Sequence, residues 1–137
     1  MVKTRRENKR RYRGTAVVEA AIVFPLLLIL TLGAIEYGWL FLKAQLVTNA
    51  ARQGARIGIL EDATEAEVLA IIDGLMIAGG LPVYTPTLSD TTLPDGRAGI
   101  LVQIQVPCSD ILIVNAPSLF PTPEYLRATV TMAKEGV

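Results

Sequence analysis

The sequence predicts an α+β protein: an N-terminal transmembrane α-helix extending into a small exterior domain with a second helix and an antiparallel sheet. Three observations carry this. Positions 20–42 hold a single charge, Glu36, and a helix of that length reaches about 35 Å, enough to span a bilayer with some tilt. Residues 64–76 repeat apolar side chains at helical spacing behind a capping signal. Further on the period falls to two, at Ile100, Val102, Ile104 and Val106 and again at Leu126, Ala128, Val130 and Met132. The 137 residues fit one domain plus a short appendage. We divide them into a basic leader (1–14), a transmembrane and extended helix (15–60) and an exterior α+β domain (61–137).

The leader is defined by charge. The chain has 13 basic and 13 acidic residues, yet Lys3, Arg5, Arg6, Lys9, Arg10, Arg11 and Arg13 all precede the apolar run, against one acid, Glu7. Only Lys43, Arg52 and Arg56 follow it closely, so the positive-inside rule places the N-terminus in the cytoplasm and the C-terminal region outside. A cleaved secretory signal fits poorly, because no small-residue cleavage site follows the run. The basic stretch lacks the interleaved aromatics of a nucleic-acid surface, so no specific nucleic-acid partner is expected; anionic lipid headgroups suit it better.

Within the span, Tyr37 and Trp39 suit the far membrane interface as anchors. Intramembrane carboxylates are costly and usually have a role. Glu19 lies about 9 Å along a helix from Arg13, near the cytoplasmic interface, whereas Glu36 lies about 25 Å further on and is expected to be solvated at the opposite one. Pro25 removes a backbone donor inside the span and predicts a kink, useful for packing among neighbouring helices or simply tolerated. Taken alone, Gly14 reads as a flexible break between the basic leader and the helix.

Beyond the span, Ala50, Gly54 and Gly58 recur every four residues beside Ala51 and Ala55, with Arg52 and Arg56 on a neighbouring face. Such a stripe packs either against another subunit or against the protein's own strands. Thr64 to Glu67 has capping-box spacing, and the following helix should end at Gly79-Gly80. Glu61, Asp62, Glu65 and Glu67 form an acidic cluster that suits a first helical turn better than a calcium loop. Pro94-Asp95-Gly96 is a turn signal, and Pro86 demotes the segment before it to an edge strand. Residues 108–124, with Pro117, Pro121 and Pro123, predict an irregular crossing with Ile111, Leu112, Ile113 and Val114 tucked beneath as core.

Catalysis is disfavoured. The chain has no histidine and one cysteine, which excludes Ser-His-Asp and Cys-His arrangements and a structural zinc site built from several Cys and His ligands. Cys108-Ser109-Asp110 shows no nucleophile paired with a base. No catalytic residue, metal site or cofactor is predicted.

The run Arg13-Gly14-Thr15-Ala16-Val17-Val18-Glu19, followed by Ala20-Ala21-Ile22-Val23-Phe24-Pro25-Leu26-Leu27-Leu28, resembles the N-terminus of TadE-like pseudopilins. These are minor components of the tight-adherence class of type IV pili. Asn49-Ala50-Ala51-Arg52-Gln53-Gly54-Ala55-Arg56 also resembles that family's helix after the membrane segment, and residues 127–135 more weakly resemble its last strand. Ala20 departs from the pattern, since many pilin-like proteins have an aromatic there. The resemblance implies cleavage after Gly14 by a prepilin peptidase, leaving Thr15 as the mature N-terminus and Glu19 as its fifth residue. It implies a non-enzymatic subunit of the cytoplasmic (inner) membrane that is incorporated into, or initiates, an adhesive pilus. Its partners would be the peptidase, other pilins or pseudopilins, the pilus assembly machinery and membrane lipid. Thr15, Glu19, Pro25, Ala50, Gly54 and Gly58 are the candidate assembly residues. The alternative is a permanently anchored bitopic adaptor or envelope-binding module.

The charge asymmetry makes a topological prediction. In a Cys108→Ser background, Asp95→Cys should react with an impermeant thiol reagent once the outer barrier is opened. Labelling only after inner-membrane lysis would mean the reverse orientation.

Overall fold

The computed structural model describes residues 4–60, 62–114, 116 and 118–134, with side chains from Gly14 onward. The expectations for the leader's basic side chains, Glu61, Pro117 and Glu135 lie outside the described residues and side chains. Five main elements follow in order: α1 (Thr4–Gly58), α2 (Glu65–Ala78), β1 (Thr85–Thr92), β2 (Ala98–Pro107) and β3 (Tyr125–Ala133), with a 3-10 turn at Cys108–Asp110. The architecture is α+β. The chain groups into two compact units, one ending at Glu36 and one beginning at Tyr37. The second unit, the head, therefore includes the last turns of α1.

In the first unit, α1 is helical through Gly14 and across Pro25, so Gly14 does not break the chain between leader and span. Backbone groups in an apolar medium must be satisfied internally, which helical structure does. Thr31 fits the same requirement by donating its hydroxyl to the Leu27 carbonyl at 2.8 Å.

In the head, the sheet has the order β1-β2-β3 and both pairings are antiparallel. Its register sorts the side chains by polarity. Ile100 faces Met132, Val102 faces Val130, Ile104 faces Ala128 and Val106 faces Leu126, with Leu88 and Pro86 of β1 opposite Val102 and Ile104. The opposite face carries Thr85, Thr87, Gln103, Gln105, Thr129 and Thr131. A slip of one residue would bury the threonines and glutamines, so patterning specifies this pairing. Pro86 is tolerated because β1 is an edge strand. Leu93 and Arg97 close the hairpin backbone at 2.9 Å, with Gly96 at φ 83°, in the left-handed region that glycine tolerates best. Asp95 sits beside the Arg97 guanidinium, which holds its carboxyl below the usual range.

α2 begins and ends as its capping residues require. The Thr64 side chain accepts from the Glu67 amide, and the Glu67 carboxylate accepts from the Thr64 amide at 2.9 Å. The Thr64 amide, together with the Thr64 hydroxyl that also donates to this carboxylate, lowers the Glu67 pKa. At the other end Leu81 donates to Met76 O and Gly80 to Ile77 O, both at 2.9 Å, with Gly80 at φ 67°. This is a Schellman turn, and the buried Leu81 supplies its apolar contact. Val68, Ile72 and Met76 of α2 meet Val47, Ala50, Ala51 and Ala55 of α1 and the inner face of β2 in one core. Of the four residues expected beneath the crossing, Ile111 is buried, whereas Ile113 is 54% exposed. The crossing turns only part of its apolar run inward.

Two glycines give opposite predictions. A Cβ on Gly99 would meet the Leu93 side chain and lie 2.7 Å from the Met132 carbonyl, so Gly99→Ala should cost about 1–3 kcal/mol through overpacking. Gly74 lies within α2 and has nothing within 4 Å of the same position. Gly74→Ala should therefore stabilise the head by about 1 kcal/mol. Denaturant titration of the detergent-solubilised protein measures both.

Candidate functional site

Gly14, Thr15, Glu19 and Pro25 all lie on α1 and are exposed. The space around Gly14 is open to 4 Å. Thr15 and Glu19 are separated by four residues, which places them on one side of a helix. Around and after them Val17, Val18, Ile22, Phe24, Leu26, Leu27 and Leu30 are each more than half exposed. Outward-facing apolar side chains in such density suit lipid or neighbouring helices, since a soluble monomer rarely presents so large a patch.

The head attaches to its end of α1 through three side chains. Lys43 donates to the Gly79 carbonyl at 2.7 Å, and its ammonium lies 4.5 Å from the centre of the Trp39 ring. Gly79 is the C-cap of α2, whose last turn holds no basic residue. Lys43 thus supplies from α1 the positive charge that a helix C-terminus favours. Lys43 is only 7% exposed, and a buried ammonium is tolerable because it is hydrogen-bonded and covered by an aromatic face. Trp39 Nε1 donates to the Ile111 carbonyl at 2.9 Å, and Tyr37 Oη donates to the Pro121 carbonyl at 2.9 Å.

Tyr37 and Trp39, expected from the sequence to sit at the membrane interface, hold the crossing segment in place. The available signals were the Trp39-Lys43 spacing of four and the absence of a cation from the end of α2. Glu36 requires a correction. It is 1% exposed, not solvated, because it lies four residues before Leu40 and seven before Lys43, in phase with residues that α1 buries.

The small-residue stripe lies inside the head. A Cβ on Gly54 would approach Ile72 Cδ1 to 2.7 Å, and one on Gly58 would approach Ile100 Cδ1 to 2.5 Å. Ala50 is 1% exposed. Ala50, Gly54 and Gly58 therefore let α1 pack closely against α2 and β2, the intramolecular one of the two readings. Arg52, Gln53 and Arg56 face solvent. Cys108 is buried, and burial pushes its thiol pKa up. The neighbouring Ser109 hydroxyl donates to Asp110 at 3.0 Å.

Taken together, the described residues contain one helix long and apolar enough to cross a membrane, continuous in sequence with a small α+β head. A model of the TadE-like protein family matches residues 14–56, which bears out the resemblance read from the sequence. The match begins at Gly14, includes Glu19 and the 49–56 motif, and ends within α1, before α2 and the sheet. It points to a minor-pilin role connected with the tight-adherence pilus. No curated protein and no solved structure matches the chain.

The attachment can be tested by removing its donors. Lys43→Met should destabilise the head by about 1.5–3 kcal/mol, the range for a lost hydrogen bond to a charged group, and Trp39→Phe by about 1 kcal/mol. Hydrogen exchange should accelerate around residues 79–81 in the first variant and around residue 111 in the second. Unchanged exchange at both places would remove the attachment role.

Proposed function

We propose that the chain is a non-enzymatic minor pilin, or pseudopilin, of a tight-adherence type IV pilus. A prepilin peptidase cleaves it after Gly14, and it is then incorporated into the pilus or initiates it. The observation that carries this reading is the family match, which starts at the proposed cleavage residue and continues through the apolar helix. The exposed Gly14, with open space where a side chain would stand, supports access by a peptidase. The leader's charge asymmetry supports an inner-membrane orientation with the head outside the cytoplasm.

Glu19 is the proposed register element. Cleavage creates an ammonium on Thr15, one helical turn away in the same chain and equally available to Glu19 of a neighbouring subunit. In a low-dielectric setting an unpaired carboxylate costs more than a paired one, so the pair favours one axial position. Other pilins or pseudopilins and the assembly machinery are the proposed partners.

One experiment follows processing and incorporation together. In a host with the cognate peptidase, intact mass should show loss of residues 1–14 from the wild type and their retention in Gly14→Leu. Glu19→Gln should reach the membrane and be cleaved, yet be depleted from sheared filaments relative to the membrane fraction. Retention of the leader by the wild type would favour the permanently anchored adaptor. Undiminished incorporation of Glu19→Gln would reject the register role.

A further inference from the structure

Between Asp110 and Glu124 the crossing segment contains thirteen residues and no charge. It is pinned to α1 near both ends of this stretch, by Trp39 at the Ile111 carbonyl and by Tyr37 at the Pro121 carbonyl. Two residues inward from each pinned carbonyl stand Ile113, 54% exposed, and Leu119, 57% exposed. The α1 residues that hold the pins belong to the end of the apolar run, where Phe41 and Leu42 are also exposed at 66% and 49%. Ile111 and Phe120 of the same segment are buried, so it has an inner apolar face packed on the head and an outer one left uncovered.

We propose that residues 111–114 and 118–121 of the crossing form a second membrane-contacting surface, with Ile113 and Leu119 seated in the interfacial layer of the bilayer. This rests on the reading of α1 as a membrane span. Continuity selects the occupant: the apolar run reaches Leu42, and the segment is tied to that run at 37 and 39. A lipid environment that covers Phe41 and Leu42 also meets the residues beside them. The indole N–H and phenol O–H that interfacial aromatics usually direct to water or headgroups are here bonded to the segment's own carbonyls. The rings and the segment can therefore occupy the interface as one unit. Asp110 and Glu124 are exposed and bracket the uncharged stretch, marking where the chain returns to water.

The test uses the full-length chain, with Cys108→Ser, in phosphatidylcholine vesicles whose acyl chains are either ordinary or brominated near the headgroup. A polarity-sensitive dye is placed on Ile113→Cys, Leu119→Cys, Asp95→Cys or Phe24→Cys, one site at a time. Emission of Trp39, the sole tryptophan, verifies that each labelled head remains folded. The expected result is blue-shifted emission at 113 and 119 that is lost in brominated lipid, with neither effect at 95. Loss at 24 but not at 113 or 119 overturns the proposal while leaving the span intact. No loss at 24 in bilayers brominated at any depth overturns the spanning reading and the proposal with it. A blue shift at 113 and 119 that ignores bromine and fades as protein is diluted into more lipid assigns the surface to a second copy instead.

Discussion

The ammonium of Lys43 joins three parts of the head that no apolar contact alone would fix in register. It ends α2 electrostatically at the Gly79 carbonyl, lies over Trp39, and belongs to the same stretch of α1 that holds the crossing segment. The nearly complete burial of this charge makes the arrangement discriminating. Sliding α2 along α1 would leave a desolvated cation without its acceptor, a cost that packing of Val68, Ile72 and Met76 against alanines would not offset. Apolar burial supplies most of the driving force, while the cation selects the alignment.

Around that alignment the head spends its small residues internally. Gly54 and Gly58 allow Ile72 and Ile100 to approach the α1 backbone, so the second half of the long helix is one layer of the head. The exposed apolar side chains of the first half have no such partner among the described residues of their own unit. This asymmetry separates two environments along one continuous helix. Small and alternating residues face the protein after residue 40; large aliphatic residues face outward before it.

Much of this was legible in the residues themselves. Period-two alternation located β2 and β3, the Thr64 and Glu67 pair located the start of α2, and Gly79-Gly80 located its end, because each pattern reflects local stereochemistry. The family resemblance was legible through the contiguous motif from Arg13 to Glu19, within the stretch that the family model matches. The contacts of Lys43, Trp39 and Tyr37 were not, because all three donate to backbone carbonyls far along the chain, and although the spacing of Trp39 and Lys43 hints at their pairing, a carbonyl partner leaves no signature of its own. Glu36 misled for a related reason: hydropathy treats a carboxylate near a membrane boundary as wet, whereas helical phase placed it on the buried side. In the crossing, an apolar run without period gave no means of telling Ile111, which is buried, from Ile113, which is exposed.

The order of elements along the chain also has a temporal meaning. The α1 stripe from Leu40 to Ala55 is covered by α2 and by β2, and β3 completes the sheet only after all four of the other main elements have been made. During synthesis the helix precedes every surface that will shield this stripe, and contacts between segments so distant form late because loop closure must come first. The nascent helix therefore presents an uncovered apolar face until α2 and the sheet have been made. A chaperone acting on that face would protect the interval between synthesis of the helix and closure of the head.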